Sequence, residues 1–303
     1  MRLASPVNAP DEVERLHRAG ADECYCGYMP QDWARDFGNH DSASRRQGAA
    51  NISDPELLSE TVSEARRVGM PIFLTLNARV VREQLPRLLA MAELFAAFGG
   101  SGIVLRDIVL LRQLYALALP MRYTASLLSV TVNEYGVRMW RELGANRIVL
   151  PRFLTVSEMG SLARACPGTE FEAMVLGDRC LFIDGYCSSI HCVSYRKAPP
   201  DAEPQYCLPV PDPSAEAHHL CFQYREHASV PCAACRFREL DRAGINIGKL
   251  GGRGLPTDEK IKRLMFLRET ETMTGEQGVR ELCHRKYNGQ YECYYPETED
   301  SVR

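Results

Sequence analysis

The chain has 303 residues, with 36 Lys and Arg against 39 Asp and Glu, a formal charge of −3. That balance excludes a protein whose whole surface is a footprint for nucleic acid or another polyanion. No run of about 18 apolar residues occurs, so no spanning helix is expected, and the opening Met1-Arg2-Leu3-Ala4-Ser5-Pro6 has no apolar stretch of signal-peptide length. A cytoplasmic protein is the expectation.

In chain order, short apolar runs alternate with stretches of helical period. Strands are predicted at 2–6, 23–27, 71–76, 102–105, 121–125, 147–150, 170–175 and 245–250. Helices are predicted between them. The first, 10–19, opens on Pro10 with Asp11 and Glu12 behind it, which suits the positive end of a helix dipole. A second, 54–68, opens on Asp54 and closes at Gly69. Others follow at 83–98, 108–117, 133–143 and 156–165, the last with Thr155 and Glu158 spaced as a capping box. Two more are predicted at 232–243 and 258–273.

Eight strands in strict alternation with helices predict a parallel sheet, and eight units predict a closed (β/α)8 TIM-barrel-like fold. An open doubly wound sheet is the alternative, but Ser5-Pro6-Val7-Asn8-Ala9-Pro10 lacks the phosphate-binding glycines that such a sheet carries after its first strand. The barrel domain is expected over 1–275, followed by a C-terminal extension, 276–303. One connection breaks the rhythm. Residues 177–232, after the seventh strand, are far longer than an ordinary barrel loop and rich in Cys, Pro, His and Tyr.

Twelve cysteines are present. In a reducing compartment they argue against a disulfide framework and for metal. Seven of them, from Cys180 to Cys235, crowd into 56 residues. Barrel topology gathers the loops after the strands at one mouth. It thereby brings Cys180, Cys187 and Cys232 toward one site, with a fourth cysteine from within the excursion. Zinc and an iron–sulfur cluster both use four thiolates, and spacing alone does not choose between them. Cys24, Cys26 and Cys166 read instead as small buried hydrophobes. Asn77, Asp107, Ser126 and Arg152 each follow a strand directly, which places them at the mouth as ligand-binding candidates. Arg152 suits a carboxylate, and Asp107 also suits a helix cap. His191, His218 and His219 lie in the excursion as weaker ligand candidates.

Several segments resemble the peptidase U32 family. They are Ala19-Gly20-Ala21-Asp22-Glu23-Cys24-Tyr25-Cys26-Gly27, Asn133-Glu134-Tyr135-Gly136 through Trp140, and Leu143-Gly144-Ala145-Asn146-Arg147-Ile148-Val149-Leu150-Pro151-Arg152. The most specific is Phe171-Glu172-Ala173-Met174-Val175-Leu176-Gly177 followed by Cys180-x6-Cys187. Cys232 then precedes Glu239-Leu240-Asp241-Arg242-Ala243-Gly244-Ile245 and Lys249-Leu250-Gly251-Gly252-Arg253. The resemblance implies a four-iron four-sulfur (4Fe-4S) cluster on Cys180, Cys187, Cys207 and Cys232, with Cys192 and Cys221 as alternatives for the third position.

It further implies oxygen-independent hydroxylation of a small molecule, a quinone precursor or an RNA base, with prephenate as co-substrate and oxygen donor. A second U32 family protein is an expected heterodimer partner. A collagenase-like protease and a non-catalytic cluster-bearing partner are the other readings. Two departures mark this chain: Leu176-Gly177 stands where many members have His-Gly, and Arg152-Phe153 where many have Arg-Glu. Cys24, Cys166 and Cys283 are expected to play no part in holding a cluster.

Overall fold

The fold is taken from a computed structural model that describes residues 1–37, 43–46, 48–177, 184–186, 190–191, 205–209, 219–223, 230–273, 276–289 and 291–295. The described strands are β1 (Arg2–Pro6), β2 (Glu23–Gly27), β3 (Ile72–Leu76), β4 (Gly102–Leu105), β5 (Arg122–Ala125), β6 (Arg147–Val149) and β7 (Glu170–Leu176). Then come β8 (Ile190–His191), β9 (Gln205–Pro209), β10 (His219–Gln223), β11 (Val230–Cys232), β12 (Ile247–Leu250) and β13 (Tyr291–Cys293). The helices are α1 (Pro10–Arg18), α2 (Trp33–Phe37), α3 (Pro55–Arg67), α4 (Leu85–Ala97) and α5 (Ile108–Ala116). They continue with α6 (Glu134–Glu142), α7 (Val156–Ala165), α8 (Phe237–Arg242), α9 (Thr257–Thr272) and α10 (Glu276–Lys286).

β1 to β7 pair in sequence order, all parallel, and β12 pairs in parallel with both β7 and β1. The sheet is therefore a closed eight-stranded barrel, as the alternation predicts. Local signals set the helix starts. The Asp54 carboxylate accepts from Glu56 N at 2.8 Å at the head of α3. Thr155 and Glu158 form the capping box of α7. Gly69 closes α3's turn at φ +71°, a left-handed conformation that costs glycine little.

Strand pleating divides the barrel into two packed zones. Ala4, Tyr25, Phe73, Val104 and Ile247 meet inside the barrel. Their neighbours Leu3, Cys24, Cys26, Ile72, Leu74 and Ile103 face outward into the larger core under the helices. This disposes of the early cysteines as the sequence suggests. Cys24 and Cys26 are fully buried against helices, and burial pushes the Cys26 thiol up to about 12. Cys166 is buried at the end of α7.

Beyond β7 the barrel is extended. β11 runs antiparallel to β7, with Cys232 opposite Leu176, and β13 pairs in parallel with β11. The C-terminal segment is thus laid on the barrel's sheet through β13. β8, β9 and β10 form a separate small antiparallel sheet. At the end of the barrel where the strands begin, a recess is edged by Arg2, Asp22, Asp241 and Arg268. Its charges are internally paired: the Met1 amino group lies 3.3 Å from Asp241 and Arg268 lies 2.5 Å from Asp22. Among the described residues no helix is long and apolar enough to cross a membrane.

Candidate functional site

The opposite mouth, at the C-terminal strand ends, carries the candidate binding residues Asn77, Asp107, Ser126 and Arg152. Leu76 is in register with Leu105, and Leu105 with Ala125. The next residues along, Asn77, Arg106 and Ser126, therefore form one row across β3, β4 and β5. The Asn77 amide donates to Ser126 Oγ at 3.3 Å, and Ser126 Oγ also accepts from Leu128 N. One layer deeper, Thr75 Oγ1 accepts from Arg253 at 2.6 Å, and Arg253 also donates to Ser44 O at 2.8 Å. A Cβ on Gly27 would collide with Asn51 Oδ1 and Arg253 Nη1, so glycine leaves the room this arginine needs.

Asp107 stands one residue past the row and serves as a cap. Its carboxylate accepts from Val109 N and Leu110 N, both at 2.9 Å. Asp107→Ala is expected to lower stability by about 1 kcal/mol, the usual cost of a lost N-cap. Ligand binding at the mouth is expected to stay the same, which denaturant melts and titration calorimetry would check together.

Arg152 also lies at the mouth, with its guanidinium engaged by the excursion. Its backbone N–H and Nε donate to Asp184 Oδ2 at 3.1 and 3.0 Å, and Nη2 pairs with Oδ1. Asp184 is buried. This pairing, and the contact of Arg106 Nη2 with Gly185 O at 3.4 Å, pin residues 184–186 over the opening.

Cys180, Cys187, Cys192 and His218 lie outside the described residues. For Cys207 and Cys221 only the backbone is described, and there they are direct cross-strand partners in β9 and β10. His191 pairs in β8 with Tyr206, and His219 in β10 with Pro209. Cys232 is described in full, and its company was not anticipated. It sits opposite Cys293 on the neighbouring strand, and its thiol interacts with that of the fully buried Cys283 of α10. Cys235 Sγ is 3.6 Å from Cys293 Sγ. The hydrogen bond from Cys235 lowers the Cys293 thiol to about 7 and raises Cys235 in turn.

Four thiols from β11, the turn after it, α10 and β13 are therefore gathered in two pairs. As they stand, no three His, Cys, Asp or Glu donors among the described residues converge as a ligand set for one metal ion. Sequence reasoning assigned Cys283 to the inert cysteines. The local signal for this contact is Tyr291-Glu292-Cys293, a β-prone run within the C-terminal extension, 276–303.

Barrel and mouth together define a (β/α)8 protein with a row of polar side chains just past the C-terminal ends of β3, β4 and β5. The sequence model of peptidase family U32 matches residues 8–301, and the chain belongs to that family. The tRNA hydroxylation protein P of Escherichia coli (strain K12) is 24% identical over 188 residues, covering 61% of this chain and 38% of that protein. The chain thus aligns with well under half the length of that relative. Among solved structures, a U32 peptidase is 14% identical with a TM-score of 0.44, covering 58% of this chain and 69% of its own. An oxaloacetate acetylhydrolase bound to an inhibitor is 12% identical with a TM-score of 0.48, covering 94% and 89%.

Proposed function

We propose that this chain is an iron–sulfur tailoring enzyme of the U32 family. It would hydroxylate, without oxygen, a small molecule, a quinone precursor or an RNA base, with prephenate as the candidate oxygen donor. The observation that carries the reading is family membership together with the relation to a tRNA hydroxylation protein. The resemblance assigns a 4Fe-4S cluster to Cys180, Cys187, Cys207 and Cys232. The donor chemistry around Cys232 suits it, because soft thiols are gathered there, two of them buried and two partly buried. Arg236 and Arg280 act on these sulfurs and offset thiolate charge. When bound, the cluster would supply electron transfer.

The chain's own residues do the rest. Asp184 holds Arg152 in place over the mouth, and Asn77 and Ser126 present an amide and a hydroxyl to whatever enters it. A cytoplasmic location and a second U32 protein as partner belong to the same proposal.

The test is anaerobic purification with iron, sulfide and zinc analysis, followed by turnover with prephenate, with and without a second U32 protein. The expected result is about four irons and four sulfides per chain with the visible absorption of a thiolate-bound cluster. Stoichiometric zinc with neither iron nor sulfide would overturn the reading.

A further inference from the structure

Three polar atoms at the mouth lack what burial normally demands. Arg106 Nη1, Asn77 Oδ1 and Thr124 Oγ1 are all shielded from solvent, and none has a hydrogen-bond partner. Buried polar groups are nearly always satisfied, so each such exception requires a physical reason. These three are not scattered. Asn77 and Arg106 are neighbours in the row Asn77–Arg106–Ser126, and Thr124 lies two residues before Ser126 on the same face of β5.

Charge points the same way. Burial disfavours the Arg106 cation first, and the like charges of Arg45 and Arg79 disfavour it further. A guanidinium does not shed its proton in a protein, so the imbalance is left standing. Among the described residues the carboxylate that acts on it is Asp107, which already accepts two backbone N–H groups of α5. Arg106 Nη2 reaches only a carbonyl, Gly185 O. Buried cations are paired as a rule, because an unpaired one costs several kcal/mol. Two other basic groups on the barrel's inner side are paired, Arg152 with Asp184 and Lys249 with Glu172 at 2.6 Å.

We infer that the row Asn77–Arg106–Ser126 is a binding site for a small oxyanion, a carboxylate or phosphate group whose molecule also carries a hydroxyl. The oxyanion takes the free N–H of Arg106, under the field of Arg45 and Arg79. The hydroxyl of Ser126 is in place as a second donor. Asn77 Oδ1 is an acceptor with nothing to accept, and a ligand hydroxyl supplies the missing donor. Because Arg106 Nη1 has no solvent access, the anion must enter the barrel mouth. That favours a small molecule over a phosphodiester lying along the surface. The site is the mouth of the enzyme proposed above, and it rests on that reading only for the use to which the anion is put.

The experiment uses the full chain, prepared anaerobically, with iron content measured in each sample. Phosphate, malonate and malate are titrated by calorimetry and by thermal shift. At least one is expected to bind, and malate is expected to bind more tightly than malonate because it adds a hydroxyl. Phosphate binding alone would assign the oxyanion as a phosphate. Arg106→Ala is expected to weaken every anion about ten- to a hundredfold, the value of a hydrogen bond to a charged group.

The same variant is expected to melt no lower than wild type without ligand, since it removes an unpaired buried charge. A merely structural arginine would show the reverse. Asn77→Ala is expected to erase the preference for malate. Arg138→Ala, on the exposed face of α6, removes one positive charge at a distance and is expected to bind as wild type. Absence of binding below about 10 mM for all three anions would overturn the inference. So would an Arg106→Ala protein that binds as wild type. Binding is read with and without iron. Lost iron with retained binding counts against the cluster alone, and lost binding with full iron counts against this site alone.

Discussion

Arg147→Ala is expected to destabilise the protein by about 3–5 kcal/mol, the cost of leaving a buried ion pair without one partner. Arg147 is 2% exposed and lies inside the barrel. Its guanidinium bonds Glu23 through both Nη atoms, Glu172 at 3.1 Å and Glu170 at 3.2 Å, and it covers the Phe73 ring at 4.8 Å. Removing it leaves Glu23 with the longer 3.8 Å contact of Arg2 and Glu172 with Lys249. Against a total stability of about 5–15 kcal/mol such a loss is close to decisive. Arg122→Ala is the contrast. Arg122 also bonds Glu170, but it is 41% exposed, so its removal is expected to cost about 1 kcal/mol or less. Urea titrations of both variants read the difference, and equal losses would refute this account of the interior.

The same network fixes an acid limit. Burial works against the Glu172 carboxylate, yet Lys249 and Arg147 outweigh it and hold the group below its ordinary value of 4.5. Burial opposes Glu170 likewise, and Arg147, Arg2 and Arg122 lower it. A carboxyl lowered on folding stabilises the protein above its unfolded value. That contribution is lost as pH falls through the folded value. Stability is therefore expected to hold above about pH 5 and to decline below pH 4.5, where both carboxyls begin to protonate in the unfolded chain.

The barrel was legible because its signals are local. Alternating apolar runs, Asp54, Thr155 with Glu158, and Gly69 each report on the few residues around them, and the limits of the barrel strands and of most helices fall within two residues of prediction; the helix expected at 232–243 instead starts at Phe237, because 230–232 pair as β11 beside β7. The mouth was half legible for a geometric reason. Asn77 and Ser126 follow their strands by one residue, and so does Arg106, which places all three in one row. Asp107 follows β4 by two and falls onto the helix cap. Arg152 follows β6 by three and meets Asp184, a partner 32 residues away that no local pattern announces. The charged interior was illegible for the opposite reason. Arg147 and Glu23 are 124 residues apart, and only barrel closure makes them a pair.

Cys283→Ala is expected to lower iron content and alter the visible spectrum of anaerobically prepared protein, although sequence alone ranks Cys283 with the inert cysteines. The reason is contact. Its thiol is fully buried, interacts with that of Cys232, and sits on α10, which packs on the turn after β11. The Cys232→Ala variant should show the larger loss, because the family resemblance makes that residue a ligand. Cys24→Ala and Cys166→Ala remove thiols of the same size, equally buried, under helices on the outside of the barrel. They are expected to keep full iron, which separates a specific effect from the ordinary cost of a small cavity.

Cys293→Ala extends the series. Its sulfur is 3.6 Å from Cys235, and its strand is the only described parallel neighbour of β11. If Cys283→Ala and Cys293→Ala both retain iron and spectrum, the C-terminal thiols merely pack beside the site. If both lose iron while their urea midpoints stay within the range of Cys24→Ala, the C-terminal segment is part of the metal-holding apparatus. The second outcome is expected, because Cys283 lies against Cys232, the residue that the resemblance makes a ligand, and Cys293 lies against its near neighbour Cys235.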